Sequence, residues 1–167
     1  HNKENASSWI DMIQGQLICQ VECTHCKKLY HNFEPYTTLG LQLVDPKECS
    51  ILDCMNALFH TEELSEWKCD NCSTVGSAEK VTRLWSVPNV LCVNLKRFDN
   101  NMRKYHTRVK IPSSLVFTKD VVFQMDQDAV TYRLVSIALH HGSYGGGHYT
   151  AICREENEKF VLFDDLS

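Results

Sequence analysis

Four of the nine cysteines fall into two Cys-x-x-Cys units, Cys23 with Cys26 and Cys69 with Cys72. One such unit presents two thiolates from a single tight turn, and two units close a tetrahedral shell around one zinc ion. Four sulfur ligands leave no open position for water, so the expected role is structural. Structural zinc contributes on the order of 10 kcal/mol to folding. The competing reading is two accidental pairs of buried or redox cysteines. Finding two pairs in one chain with no disulfide pattern favours the metal. His25 and His31 lie in and just after the first unit and read as surface residues. Cys19, Cys49, Cys54, Cys92 and Cys153 lack ligand spacing and read as small buried hydrophobes.

A second reactive combination lies near the end of the chain. His148 opens the run His148-Tyr149-Thr150-Ala151-Ile152-Cys153-Arg154, and residues 159–165 read as the returning strand. If Thr150 faces Leu162 and Ile152 faces Phe160, His148 faces Asp164. Side chains so placed are about 5 Å apart at Cβ, within reach of an imidazole–carboxylate hydrogen bond. A slip of one residue selects Asp165 instead. Such a pair is two-thirds of a nucleophilic triad, but it also serves as a clamp on a metal ligand or as a structural contact. Spacing alone leaves the three open. The preceding run, Gly142 to Gly147, is too glycine-rich for a regular element. It reads as a place where another backbone or a slim substrate approaches closely, or as a flexible surface loop.

These residues need a frame. Residues 16–23 read as a strand entering the first cysteine unit. Residues 36–44 put Leu39, Leu41 and Leu43 on one face of a half-buried strand. Residues 50–60 read as a helix, with Ser50 as N-cap, Asp53 three residues on, and an apolar stripe of Ile51, Met55, Leu58 and Phe59. The apolar run at 89–95 reads as a central strand, 100–108 as a loop or hairpin tip, and 131–140, 148–154 and 159–165 as strands. The fold class is therefore α+β with a mostly antiparallel sheet. Residues 1–14 begin with a polar stretch, His1 to Ser8, and read as a linker or tag remnant.

The bulk properties exclude several classes. The chain has 167 residues, 43% hydrophobic and 23% charged, which suits one globular domain rather than disorder. A net charge of −4 without interleaved basic and aromatic stripes argues against a nucleic-acid-binding zinc ribbon. No apolar run reaches the roughly 18 residues of a membrane span, so no membrane partner is expected. An odd number of cysteines argues against a disulfide framework and for a reducing compartment, cytoplasm or nucleus.

Taken together, the segments resemble the ubiquitin-specific proteases, papain-like cysteine proteases that cleave ubiquitin from other proteins. The resemblance runs from about Gly15 to the end of the chain. Gly15-Gln16-Leu17 and Val21-x-Cys23-x-x-Cys26 resemble the entry into that family's zinc-bearing fingers. Leu39-Gly40-Leu41-Gln42-Leu43, the helix at 50–60, Cys69-x-x-Cys72 and Ala78-x-Lys80 follow in the family's order. The run from Pro88 to Asn94-Leu95-Lys96-Arg97-Phe98 is similar to its Leu-Lys-Arg-Phe strand. His140-His141-Gly142, Gly147-His148-Tyr149-Thr150-Ala151 and Phe163-Asp164-Asp165 resemble its histidine box and closing acid.

This resemblance implies a zinc-bearing fingers region at about 15–86, built as a β-rich insertion. It implies a palm at about 87–167, within a partial catalytic domain at 15–167. His148 would be the general base and Asp164 the residue orienting it, with Asp165 in reserve. His141, Gly146, Gly147 and Tyr149 would border the channel for ubiquitin's Gly-Gly tail. One structural zinc would brace the fingers, and the partners would be ubiquitin and ubiquitinated proteins. The family's nucleophile sits in an N-terminal motif, Asn-x-Gly-x-Thr-Cys-x-x-Asn, and nothing here matches it. The resemblance then implies that the thumb, with its cysteine, belongs to an N-terminal part of the catalytic domain not present in this sequence. This chain alone would be inactive. A catalytically dead, ubiquitin-binding scaffold of the same family is the alternative.

Overall fold

The computed structural model describes residues 8–123, 125 and 128–165. In chain order its first half holds α1 (Ser8–Ile13), β1 (Gly15–Cys23), β2 (Leu29–Tyr36), β3 (Leu39–Gln42), β4 (Glu48–Ser50), α2 (Ile51–Leu58), β5 (Glu62–Lys68) and β6 (Val75–Ser86). The second half holds β7 (Val93–Lys96), β8 (Arg108–Lys110), β9 (Ser114–Thr118), β10 (Ala129–Arg133), β11 (Ser136–Ser143), β12 (Gly146–Arg154) and β13 (Phe160–Phe163).

The longest strand, β6, pairs antiparallel with β1, setting Cys23 opposite Ala78 and Leu17 opposite Leu84. Adding β2 and β5 outside them gives a four-stranded sheet of order β2-β1-β6-β5. Residues 39–58 leave this sheet. Their strands β3 and β4 pair in parallel with β7 and β8, which ties the first half of the chain to the second. Two further antiparallel sheets complete the fold, β10-β9 and β11-β12-β13. The sheet pairing is thus mostly antiparallel, with few helices.

The core gathers where these parts meet. Leu39, Leu41, Ile51, Cys54, Met55, Leu84, Phe117 and Val122 are buried together. Helix α2 starts where its residues dictate. The Ser50 hydroxyl accepts from the Asp53 N–H at 3.1 Å, and the Asp53 carboxylate accepts from the Ser50 N–H at 2.8 Å. This reciprocal box satisfies two of the donors that a helix start leaves unpaired. The helix then turns Ile51, Cys54 and Met55 inward, onto Leu39 and Leu41.

Several expectations change. Residues 89–95 do not form a central strand. Only Val93–Lys96 is extended, half-buried, in a two-stranded parallel pair with β3. Val90 is exposed, and its N–H bonds the Met12 carbonyl at 3.0 Å. That bond anchors α1, so Ser8–Ile13 is helix rather than loose linker, while residues 1–7 lie outside the described residues. The stretch 131–140 is two strands. The chain changes sheets at Leu134 and Val135, where Leu134 N–H bonds Ser113 O and Val135 O accepts from Arg154 N–H. The glycine run is not an irregular loop, because β11 continues to Ser143 and β12 starts at Gly146. Cys92 is exposed, whereas Cys49 and Cys54 are buried. Among the described residues, no helix is long and apolar enough to cross a membrane.

Leu41 is fully buried and Leu52 is half exposed on the outer face of α2. Leu41→Ala is expected to cost about 2–5 kcal/mol, and Leu52→Ala no more than about 0.5 kcal/mol. Chemical denaturation of the two variants side by side checks this; equal losses would place the core elsewhere.

Candidate functional site

The two cysteine units adopt one local structure twice. In the first, Lys27 N–H bonds Cys23 O at 2.9 Å and Cys23 N–H bonds Lys28 O at 3.0 Å. In the second, Ser73 N–H bonds Cys69 O at 2.8 Å and Cys69 N–H bonds Thr74 O at 3.0 Å. Lys27 and Ser73, each one residue after its unit, both take φ of 58°, the left-handed conformation that folds a short turn back on itself. The first turn ends β1 and leads into β2. The second joins β5 to β6. Because β1 and β6 are paired, the two turns share one end of the sheet.

There the Cys23, Cys26, Cys69 and Cys72 sulfurs all lie within 4.8 Å of one another. Cys23 and Cys72 are 3.9 Å apart, and Cys26 and Cys69 3.6 Å. Tetrahedral zinc with sulfur at ~2.3 Å requires sulfur–sulfur edges of ~3.8 Å, so donor type and spacing both fit a thiophilic metal ion. Burial alone would push the Cys69 thiol up. Hydrogen bonds from Tyr30 and from the Cys72 and Asn71 backbone outweigh it and bring the thiol down to about 6. The Thr74 side chain and backbone likewise lower Cys72. Both effects favour the thiolate, the form a metal takes.

Sequence reasoning missed the groups around the sulfurs. The Tyr30 hydroxyl accepts the Asn71 N–H at 3.0 Å, which leaves its own proton for Cys69 Sγ at 3.4 Å. Its ring packs edge-on against Trp67 at 5.3 Å. Asn71 Nδ2 lies 3.5 Å from Cys26 Sγ. Only the position of Asn71 inside the second unit hinted at this. Both His25 and His31 are exposed, and His31 bonds Gln20.

The second cluster sits on β11-β12-β13. Here the ladder is displaced by two residues from expectation, with Ile152 opposite Leu162 and Arg154 opposite Phe160. An even displacement keeps every side chain on its face. Asp164, just past the end of β13, therefore reaches His148 diagonally, with Oδ1 2.7 Å from Nε2. Both side chains are about one-third exposed. Asp165 lies in the following turn and is exposed.

The other residues expected near His148 divide between the two faces. His141 is its cross-strand partner, and His141 Nε2 lies 3.0 Å from Thr150 Oγ1. Tyr149 projects to the opposite face, as strand alternation requires, and packs on His140 at 4.7 Å between ring centres. Gly142, at φ 129°, faces Gly147, and Ser143 faces Gly146. A Cβ on Gly147 would lie 2.1 Å from the His141 carbonyl oxygen. Glycine here lets two backbones touch.

A model of the ubiquitin carboxyl-terminal hydrolase family matches residues 1–167. Ubiquitin carboxyl-terminal hydrolase 5 of Saccharomyces cerevisiae is 30% identical over 177 residues, covering 95% of this chain and 22% of its own length. Ubiquitin carboxyl-terminal hydrolase 4 of Vanderwaltozyma polyspora is 31% identical over 178 residues, covering 95% of this chain and 20% of its own. The chain thus spans about a fifth of the length of the curated relatives it matches. Among solved structures, the SAGA DUB module Ubp8/Sgf11/Sus1/Sgf73 bound to monoubiquitin superposes with TM-score 0.83 at 24% identity, over 98% of this chain and 38% of that one. The same module bound to ubiquitin aldehyde gives 0.82 at 23% identity, with the same coverage. These likenesses establish a shared fold.

The thiol cluster predicts one equivalent of a thiophilic divalent metal per chain. Cys69→Ser is expected to abolish tight binding, and Tyr30→Phe, which keeps the ring on Trp67, to weaken it by about tenfold. Elemental analysis and chelator competition read both; metal-free wild-type protein that is fully folded would remove the site.

Proposed function

The chain belongs to the ubiquitin carboxyl-terminal hydrolase family, and we propose that it supplies the general base and the substrate-gripping surface of a thiol-dependent deubiquitinase. The observation that carries this reading is the 2.7 Å contact between His148 Nε2 and Asp164 Oδ1. An ionised carboxylate only accepts, so Nε2 carries the proton and Nδ1 presents a lone pair. That is the tautomer a general base needs.

The nucleophile is a cysteine from a preceding part of the full-length protein. Its thiol proton passes to His148 Nδ1, and the thiolate attacks the carbonyl carbon of ubiquitin's last glycine. The tetrahedral adduct collapses to a thioester as His148 returns the proton to the departing amine. His148 then takes a proton from water, the hydroxide attacks the thioester, and ubiquitin leaves with a free carboxylate while the thiol is restored. Asp164 holds the ring and stabilises the imidazolium in both halves.

His141, Gly146, Gly147 and Tyr149 border the path of the Gly-Gly tail. Glycine is suited to such a path because it adds no side-chain bulk. The fingers are the four-stranded sheet within 15–86 and the palm the sheets within 87–167, with β3, β4 and α2 packed into the latter. Cys23, Cys26, Cys69 and Cys72 hold a single zinc ion. Bound there, zinc supplies a four-thiolate crosslink and no chemistry. Nine unpaired cysteines suit a reducing compartment, cytoplasm or nucleus.

The test uses the full-length protein with a fluorogenic ubiquitin amide. His148→Ala is expected to lower kcat/KM by about 10³-fold and Asp164→Asn by at least about 10²-fold. Asp165→Asn should stay within about threefold of wild type, as an exposed neighbour outside the relay. A ubiquitin probe with a C-terminal electrophile should label the full-length protein and not residues 1–167 alone. Ubiquitin binding without cleavage would replace this reading with an inactive ubiquitin-binding scaffold.

A further inference from the structure

Residues 97–107 form a tight hairpin that stands against the β11–β12 turn. Tyr105 N–H bonds Arg97 O at 2.6 Å, and Phe98 and Lys104 bridge antiparallel. Asp99 Oδ1 accepts from the Asn101 and Arg103 N–H groups, both at 2.8 Å, and Met102 takes φ of 61° to close the tip. The Phe98 ring lies 5.7 Å from Tyr144, edge-on, and 6.2 Å from His140.

Lys104 is delivered to the outer edge of β11 by this hairpin. Among the described residues no strand pairs with that edge, since the sheet order is β11-β12-β13. Along an edge strand, alternate carbonyls point outward without a partner strand. Lys104 Nζ lies 2.6 Å from His140 O, 3.1 Å from Gly142 O and 3.1 Å from His140 Nδ1. An ammonium has three N–H donors and no acceptor, so these three contacts use all of them. The two carbonyls bracket His141, the cross-strand partner of His148. Donation to Nδ1 requires neutral His140 with its proton on Nε2. Burial, then the Lys104 charge and His141, hold His140 below the usual imidazole range, in keeping with that state.

The glycines bring the two strands into close backbone contact here. Gly142 and Gly147 fit back to back because neither has a side chain; a Cβ on Gly142 would meet Gly147 Cα at 2.7 Å. The turn between them, Tyr144-Gly145, has no buried anchor, since Tyr144 is 61% exposed. Apart from the Lys104 contacts, the strand beside His148 is held by its ladder to β12 and by the Phe98 ring against Tyr144 and His140.

We propose that Lys104 is a positioning residue for the reaction: its ammonium clamps the edge of β11 and thereby fixes the glycine hairpin that sets His148 and borders the substrate tail. This rests on the deubiquitinase reading above. A displacement of about 1 Å at a reacting group costs on the order of 10²-fold in rate, so loss of the clamp acts mainly on kcat.

The experiment compares Lys104→Met with Lys119→Met in the full-length protein. Lys119 pairs with Asp128 on the surface, just after β9 and outside the hairpin's own contacts, and serves as the control. Lys104→Met is expected to lower kcat by about 10–100-fold with a smaller change in KM, and to speed amide hydrogen exchange at 140–148 while leaving 15–23 and 75–86 unchanged. Nitrogen spectra of histidine-labelled wild-type protein should show His140 neutral and protonated on Nε2, a readout that needs no variant. Kinetics within threefold of the control, unchanged exchange at 140–148, or a wild-type His140 protonated on Nδ1 would each overturn the clamp. If the unsubstituted protein proves inactive, the deubiquitinase reading fails, and the exchange and nitrogen spectra still decide whether Lys104 holds the hairpin.

Discussion

The pairing of β1 with β6 is the constraint on which the other features depend. It closes a loop of more than fifty residues, at an entropic cost of roughly 3.5 kcal/mol before any constant term. Burial offsets that cost: Ile18, Ala78 and Leu84 along the ladder are almost completely removed from solvent. Once these strands are paired, the two cysteine turns must meet at one end. The excursion between β2 and β5 must return to the same sheet. What it carries, β3 and α2, is left to fill the core and to offer a strand edge to β7.

The two candidate chemistries are separated by this arrangement. The thiol cluster caps the four-stranded sheet, where each turn alone would hold only two sulfurs. The imidazole–carboxylate pair sits on the three-stranded sheet, which contributes no metal-binding group to that cluster. The cysteine cluster and the imidazole–carboxylate pair thus lie on different sheets, and neither draws a group from the other. The parts are linked by the short parallel pairings of β3 with β7 and of β4 with β8, and after β7 the chain enters the hairpin carrying Lys104.

That hairpin shows how an edge strand can be both exposed and ordered. Glycine at 142 and 147 removes the bulk that would otherwise space β11 from β12. It also removes the side chains that would have packed the turn. A single ammonium from a distant loop satisfies two outward carbonyls and an imidazole nitrogen together. The clamp is polar, short-ranged and local to the strand next to His148.

Much was legible in the residues because it depends on local spacing. The pairs of cysteines two apart, the Ser50–Asp53 box, and the alternation that puts Thr150 and His148 on one face are properties of a few consecutive residues. So was the choice of face for Asp164, since strand parity survives a shift of two. Long-range choices were not legible. The register of β12 on β13, the break at Leu134 and Val135, and the parallel docking of Val93–Lys96 on β3 each depend on which distant segment buries more surface. Tyr30 and Lys104 carry no motif at all, because their partners lie 39 and 36 residues away. The sequence alone determined which groups could react and which could bind a metal. Only tertiary structure decided what holds them in place, because a hydrogen bond to a distant carbonyl leaves no pattern along the chain.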